Sequence, residues 1–254
     1  MYFVWYICKA MSKNSNWKLH KFIFRLDFEP DFRLVSQFGH IANVMWLKLK
    51  ERKAEKWKID LVQEIVLSGV NKKETTFVVM KFGYNSALVD MECLDGITLK
   101  ELHNLDLLSV FFDFWQILSD EFGIKICKYK HIGSRFWAIK GSNDSFEFIR
   151  DKFQQMMPVL EPLNSMLGLK SADLAYVFEG IDSTGSKVRI VSGPYEQSEI
   201  GKYFRFIKPD ISYGQIVDLD IRESNLEIHG LKIFKQVSVI APKAEEILCK
   251  MWQI

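Results

Sequence analysis

Asp218 and Asp220 stand two residues apart in the apolar run 215–221. Residues i and i+2 of a β-strand project from one face, so the two carboxylates could hold a divalent cation if a third acid approached. Asp27, Glu29 and Glu64 are the candidate third ligands, and Lys140 or Lys187 would complete a nuclease-like set around Mg2+. The same alternation has a plainer reading, in which Val217, Leu219 and Ile221 face a core and both aspartates face solvent. Two acids on a strand do not by themselves make a metal site.

A second group is basic and aromatic. Residues 124–140 carry Lys125, Lys128, Lys130, His131, Arg135 and Lys140 beside Tyr129, Phe136 and Trp137. Cations interleaved with rings suit a nucleic acid, with phosphates on the cations and bases stacked on the rings. Lys128, Lys130 and Arg135 are the candidate phosphate contacts. A sheet with one wet face and its aromatics turned inward produces the same pattern.

Other chemistries find no support in the residues. The histidines (His20, His40, His103, His131 and His229) make no HxH, HxxxH or HExxH spacing. Cys8, Cys93, Cys127 and Cys249 form no CxxC pair and read as buried thiols of a reducing compartment. GxSxG, GxxxxGK and GxGxxG are absent, so neither an acyl-transfer nucleophile nor a phosphate-cradling loop is indicated.

Composition bounds the class. With 34 basic against 32 acidic residues the net charge is +2, which is no footprint for non-specific nucleic-acid binding. The 254 residues are 48% hydrophobic and 26% charged, as in ordinary globular proteins. With 20 Phe against only 6 Pro, regular elements are favoured over disorder. No apolar run approaches the roughly 20 residues of a membrane span, so a cytoplasmic protein without a membrane partner is expected. Residues 1–18 read as an N-terminal extension. Within it, 1–10 is either a mis-called stretch ahead of Met11 or an edge strand.

The elements follow from periodicity. Phe22, Phe24, Leu26 and Phe28 alternate in a strand over 21–28, stopped by Pro30. Apolar residues at helical spacing over 32–49 run into the charged segment 48–58. Three strands of a meander follow, at 59–70, 75–83 and 87–94. Thr98 and Glu101 fit a capping box that opens a long helix. Asp106, Ser109, Asp113, Gln116 and Asp120 form its one polar stripe, and Gly123 ends it. A hairpin then reads from strands 124–129 and 134–140 about a His131-Ile132-Gly133 turn. Beyond it come a helix over 145–160 and strands at 169–180, 187–192, 202–207 and 215–221. Asp182-Ser183-Thr184-Gly185 is a hairpin turn, Ser192-Gly193-Pro194 a break, and 242–252 a terminal helix. The expectation is an α+β fold of antiparallel sheets with packed helices. It divides into two similar halves, 19–123 and 124–254, or forms one continuous domain.

Three segments resemble a sporadically distributed, uncharacterised family of bacterial proteins of similar length. They are Phe22-Ile23-Phe24-Arg25-Leu26-Asp27-Phe28, then His131-Ile132-Gly133-Ser134-Arg135-Phe136, then Ile216-Val217-Asp218-Leu219-Asp220. The family has an arginine where this chain has His131. No activity is established for that family, so the resemblance implies no catalytic residue. Its patchy distribution suggests mobile or defence-associated genes.

The residues therefore favour a non-catalytic module that binds a protein or peptide partner, without a cofactor. The alternative is a metal-dependent nuclease or nucleic-acid-binding protein. In it Asp218 and Asp220 hold Mg2+, and Lys128, Lys130 and Arg135 contact phosphates.

Overall fold

The computed structural model of the chain describes residues 17–51, 58–61, 64–70, 75–98, 101–102, 106–155, 175–183 and 185–227. Strand β1 (Lys18–Phe28) lies at the centre of one nine-stranded antiparallel sheet. Phe22, Phe24 and Leu26 are fully buried on one face and Phe28 almost so. A one-residue slip would turn all four to the other side, at about 1.5–3 kcal/mol each. That penalty fixes the register.

Helix α1 (Arg33–Glu51) follows, then β2 (Lys58–Leu61), β3 (Ile65–Val70), β4 (Thr76–Phe82) and β5 (Ser86–Ile97). Helix α2 (Asp106–Phe122) leads to β6 (Lys128–Gly141) and helix α3 (Phe146–Gln155). Strands β7 (Tyr176–Ile181), β8 (Lys187–Glu196) and β9 (Tyr213–Glu227) complete the described residues. The sheet order is β2-β3-β4-β5-β1-β6-β9-β8-β7. Both ranges of the chain contribute to this sheet and meet where β1 pairs with β6. The fold is thus dominated by an antiparallel sheet, with helices packed against it.

Leu34, Ile41, Ala42, Met45 and Leu49 form the buried stripe of α1. With Val110, Phe111, Phe114, Ile117 and Leu118 of α2 they cover Phe22, Phe24, Phe82, Val89, Phe136 and Leu219 of the sheet. The rings of Phe82 and Phe114 stack at 4.4 Å between centroids. This helix-covered face is the main core.

The capping box ahead of α2 is present: Thr98 N–H donates to Glu101 at 2.6 Å, and Glu101 N–H donates to Thr98 Oγ1 at 3.2 Å. Gly123 closes α2 with φ 64°, and Ile124 N–H bonds the Leu118 carbonyl at 2.9 Å. The Asp182–Gly185 turn is also present. Gly185 has φ 84°, and Asp182 Oδ1 accepts from Ser186 N–H at 3.0 Å.

Four expectations need correction. The predicted hairpin about His131-Ile132-Gly133 is one continuous 14-residue strand, β6. It pairs with β1 on one side and β9 on the other, so the backbone groups a turn would leave free are engaged in two ladders. The predicted single strand 59–70 is two antiparallel strands, with Leu61 opposite Ile65.

The break at Ser192-Gly193-Pro194 is absent. Strand β8 continues to Glu196, because β7 stops pairing at Ser192 and Pro194 meets only β9. The predicted strand 202–207 is instead the end of a 3-10 turn (Gln197–Lys202) and an irregular segment, captured by Glu92 as described below. The helix predicted over 145–160 is described to Gln155. The expectations for 1–16, 156–174, 242–252, Cys8, Cys249, His103 and His229 lie outside the described residues.

Candidate functional site

The second face of the sheet has two ends of opposite character. Alternation puts Lys21, Ile23, Arg25 and Asp27 of β1 here, with Arg135 and Trp137 of β6 and Asp218, Asp220 and Arg222 of β9 beside them. Strand β8 adds Lys187 and Arg189. One end is covered by residues 197–212. Phe204 there packs with Trp137, Ile139, Tyr195 and Ile216 in a second, smaller core. Among the described residues no segment covers the other end.

Two i, i+2 carboxylate pairs occupy this face, and the first is Asp90 and Glu92 on β5. Glu92 is fully buried, and its carboxylate accepts from Lys21 Nζ at 2.7 Å. It also accepts the backbone N–H groups of Arg205, Phe206 and Ile207 at 2.8–3.2 Å. Three successive amides converging on one oxyanion form an anion-binding nest. Here the anion is the protein's own side chain, and it staples the covering segment to the sheet. Phe206 then stacks on Phe77 at 3.9 Å. Beside it, burial pushes the Asp90 carboxyl up, although Lys21 lies 3.8 Å away.

The second pair is Asp218 and Asp220. Their side chains share the face, as the spacing predicts, but each is bound by an arginine. Arg135 Nε and Nη2 donate to Asp218 at 2.8 and 2.5 Å. Arg222 Nε and Nη2 donate to Asp220 at 3.0 and 2.5 Å. These two-point bonds hold both guanidinium pKa values above the ordinary arginine range. Arg25 makes the third such pair, with Nε 2.9 and 3.1 Å from the oxygens of Asp27. Arg135 also lies 4.3 Å over the Trp137 ring.

These pairs surround a glycine. Gly133 lies directly between Arg25 of β1 and Arg222 of β9, and Lys187 of β8 continues the row. Its neighbours two residues along β6, on the same face, are His131 and Arg135. A Cβ added at Gly133 would meet nothing within 4 Å, so the missing side chain leaves a seat in the sheet surface. The concavity over it measures about 530 Å³ and is lined by Ile23, Arg25, His131, Arg135, Lys187 and Arg222, with Asp27 and Asp220 among the others. Leaving His131 aside, the four cations Arg25, Arg135, Lys187 and Arg222 are set against the three aspartates that hold the arginines, a surplus of one positive charge. A second concavity of about 370 Å³ shares Lys187, Asp220 and Arg222 and runs on to Glu179 and Ile181 at the sheet edge.

No family model matches the chain. No curated protein matches it either. The site is therefore read from its own chemistry.

The predicted residues divide. The sheet brings together Arg135, Asp218 and Asp220, whereas Lys128 and Lys130 do not line the concavity. They lie at the start of β6, beyond a register shift opposite Asp27 and Phe28, and Lys130 is 3.3 Å from Glu29. Of the candidate third acids, Asp27 lines the same concavity as Asp220. Glu64 bonds Lys81, which stands on the same face two strands away from Arg25. Among the described residues no group of three His, Cys, Asp or Glu side chains stands close enough to hold a metal ion.

Sequence reasoning missed Arg25, Arg222 and Gly133 as partners in one site. The signal lay in Arg25-x-Asp27 and Asp220-x-Arg222, opposite charges at the i, i+2 spacing that shares a face. It becomes legible only with the order β1-β6-β9.

Proposed function

We propose that the chain is a non-catalytic module that binds a segment of a protein partner on the open end of its second sheet face. One observation carries this reading. Arg25, Arg135 and Arg222 are each anchored by an aspartate, yet each keeps Nη donors unengaged among the described residues, around a concavity. Anchoring removes rotamer entropy before a partner arrives, and that preorganisation favours affinity. Aromatic and arginine contacts of this kind are enriched in protein interfaces. The resemblance to patchily distributed bacterial proteins suits a partner within a mobile or defence-associated system.

Capture from native cells tests it, comparing the wild-type chain with an Arg25→Ala, Arg222→Ala double variant of unchanged denaturation midpoint. A stoichiometric protein bound by the wild type and lost from the variant is the expected result. Equal capture by both overturns the reading. Salt-sensitive nucleic acid in place of protein also overturns it. That outcome would favour the nuclease alternative, with Mg2+ on Asp218 and Asp220 and phosphates on Lys128, Lys130 and Arg135.

A further inference from the structure

We infer that the seat over Gly133 receives a dianionic oxyanion group of the phosphomonoester class, carried by the bound partner segment. This rests on the reading of the open end as the binding face.

Neighbouring strands lie about 4.8 Å apart, so Arg25 and Arg222 flank the empty glycine position with their Cα atoms about 10 Å from each other. Arg135 closes a third side and His131 the fourth. Arg135 and Arg222 give Nε and Nη2 to their aspartates, which leaves Nη1 of each for a ligand. Arg25 engages only Nε and keeps both Nη groups. Lys187, in the same row, has no ion-pair or hydrogen-bond partner among the described residues. Three fixed guanidinium groups and one ammonium thus converge on a space without a side chain.

Donor number selects the ligand class. Four cationic side chains face the seat from four different strands, and a phosphomonoester offers them three acceptor oxygens and a charge of about −1.5 to −2 at neutral pH. A carboxylate offers two oxygens and one charge and leaves more of these donors unmatched. A cation is repelled. A phosphodiester chain carries one charge per link, and Asp27, Asp220 and the covered end bound the seat on several sides. Geometry and charge together therefore favour one terminal phosphate over a polyanion.

Gly133→Val provides the test. Its φ is not positive and the added atoms enter open space, so the variant fills the seat without removing a charge. O-phosphoserine titrated at constant ionic strength should raise the melting temperature of the wild type to a plateau. Serine should not, and Gly133→Val should bind at least tenfold more weakly. Inorganic phosphate that competes fully would confirm that the phosphate group itself is recognised. Equal shifts in wild type and Gly133→Val overturn the inference, and so does aspartate binding as tightly as O-phosphoserine. Should Gly133→Val not fold, Arg222→Gln serves, with the same tenfold loss expected.

The two proposals separate cleanly. If O-phosphoserine binds the seat but leaves partner capture unchanged, the seat stands and the binding-face reading falls. If capture depends on Arg25 and Arg222 while O-phosphoserine does not bind, the binding face stands and the oxyanion class falls.

Discussion

The two carboxylate pairs, Asp90 with Glu92 and Asp218 with Asp220, share a spacing, a sheet and a face, yet the fold treats them oppositely. Glu92 is sealed under the 197–212 segment, its oxygens filled by an ammonium and three amides. Asp218 and Asp220 face arginines that are themselves 39% and 63% exposed. The difference arises from what lies above each pair. Where a loop supplies backbone N–H groups, a carboxylate becomes a structural staple. Where only long cations reach it, it becomes their anchor and leaves their outer edges to solvent.

Three measurements sharpen or break that contrast. The largest effect is expected at the staple. Glu92→Ala should cost about 3–5 kcal/mol in urea denaturation, because buried Lys21 loses its hydrogen-bonded partner and keeps only the more distant Asp90, while three amides lose their acceptor. Amides 205–207 should also lose protection from hydrogen exchange. A loss below about 1 kcal/mol would show that the segment is held by Phe204 and Phe206 alone.

At the open end Asp218→Ala should cost only about 1 kcal/mol or less, since its partner stays partly hydrated. A cost equal to that of Glu92→Ala would erase the distinction between the two ends.

The smallest effect concerns pH. His20, at the covered end, gives its Nδ1 to the Cys93 carbonyl contact at 2.9 Å. Burial lowers its pKa below the ordinary 6.5. The unfolded chain therefore takes up a proton near pH 6.5 that the folded chain refuses. The His20 contribution to stability is fully present above that pH and falls as the pH drops toward the lowered folded value. His20→Gln should flatten this slope below pH 6.5, read as the difference in denaturation midpoint from the wild type. An unchanged slope would mean that the fold does not oppose protonation of His20.

Local signals in the chain were legible where neighbours in sequence are also neighbours in space. The β1 alternation, the Thr98–Glu101 cap, the Gly123 stop and the Asp182–Gly185 turn all depend on contacts within a few residues. The misread segments depend on distant partners. Gly133 resembles a turn until β1 and β9 are known to pair on either side of it. Residues 202–207 resemble a strand until Glu92, 113 residues away from Arg205, captures their amides.

The candidate site shows the same division. Asp218 and Asp220 were found because their spacing is local. Arg25, which joins them across two strands, was not. Asp90-Met91-Glu92 carries a similar spacing and drew no attention, because nothing in the sequence brings Lys21 to it.

The central place of β1 also bears on how the chain is made. Lys18 pairs with Ile139, and Leu19 with both Ile97 and Ala138. During synthesis this first described strand of the sheet must wait for more than a hundred further residues before its second edge is covered. Until then Phe22, Phe24 and Leu26 line a strand with a bare ladder, the kind of edge that recruits other chains. The residues that define the middle of the finished molecule are thus the ones a growing polypeptide has to shelter longest.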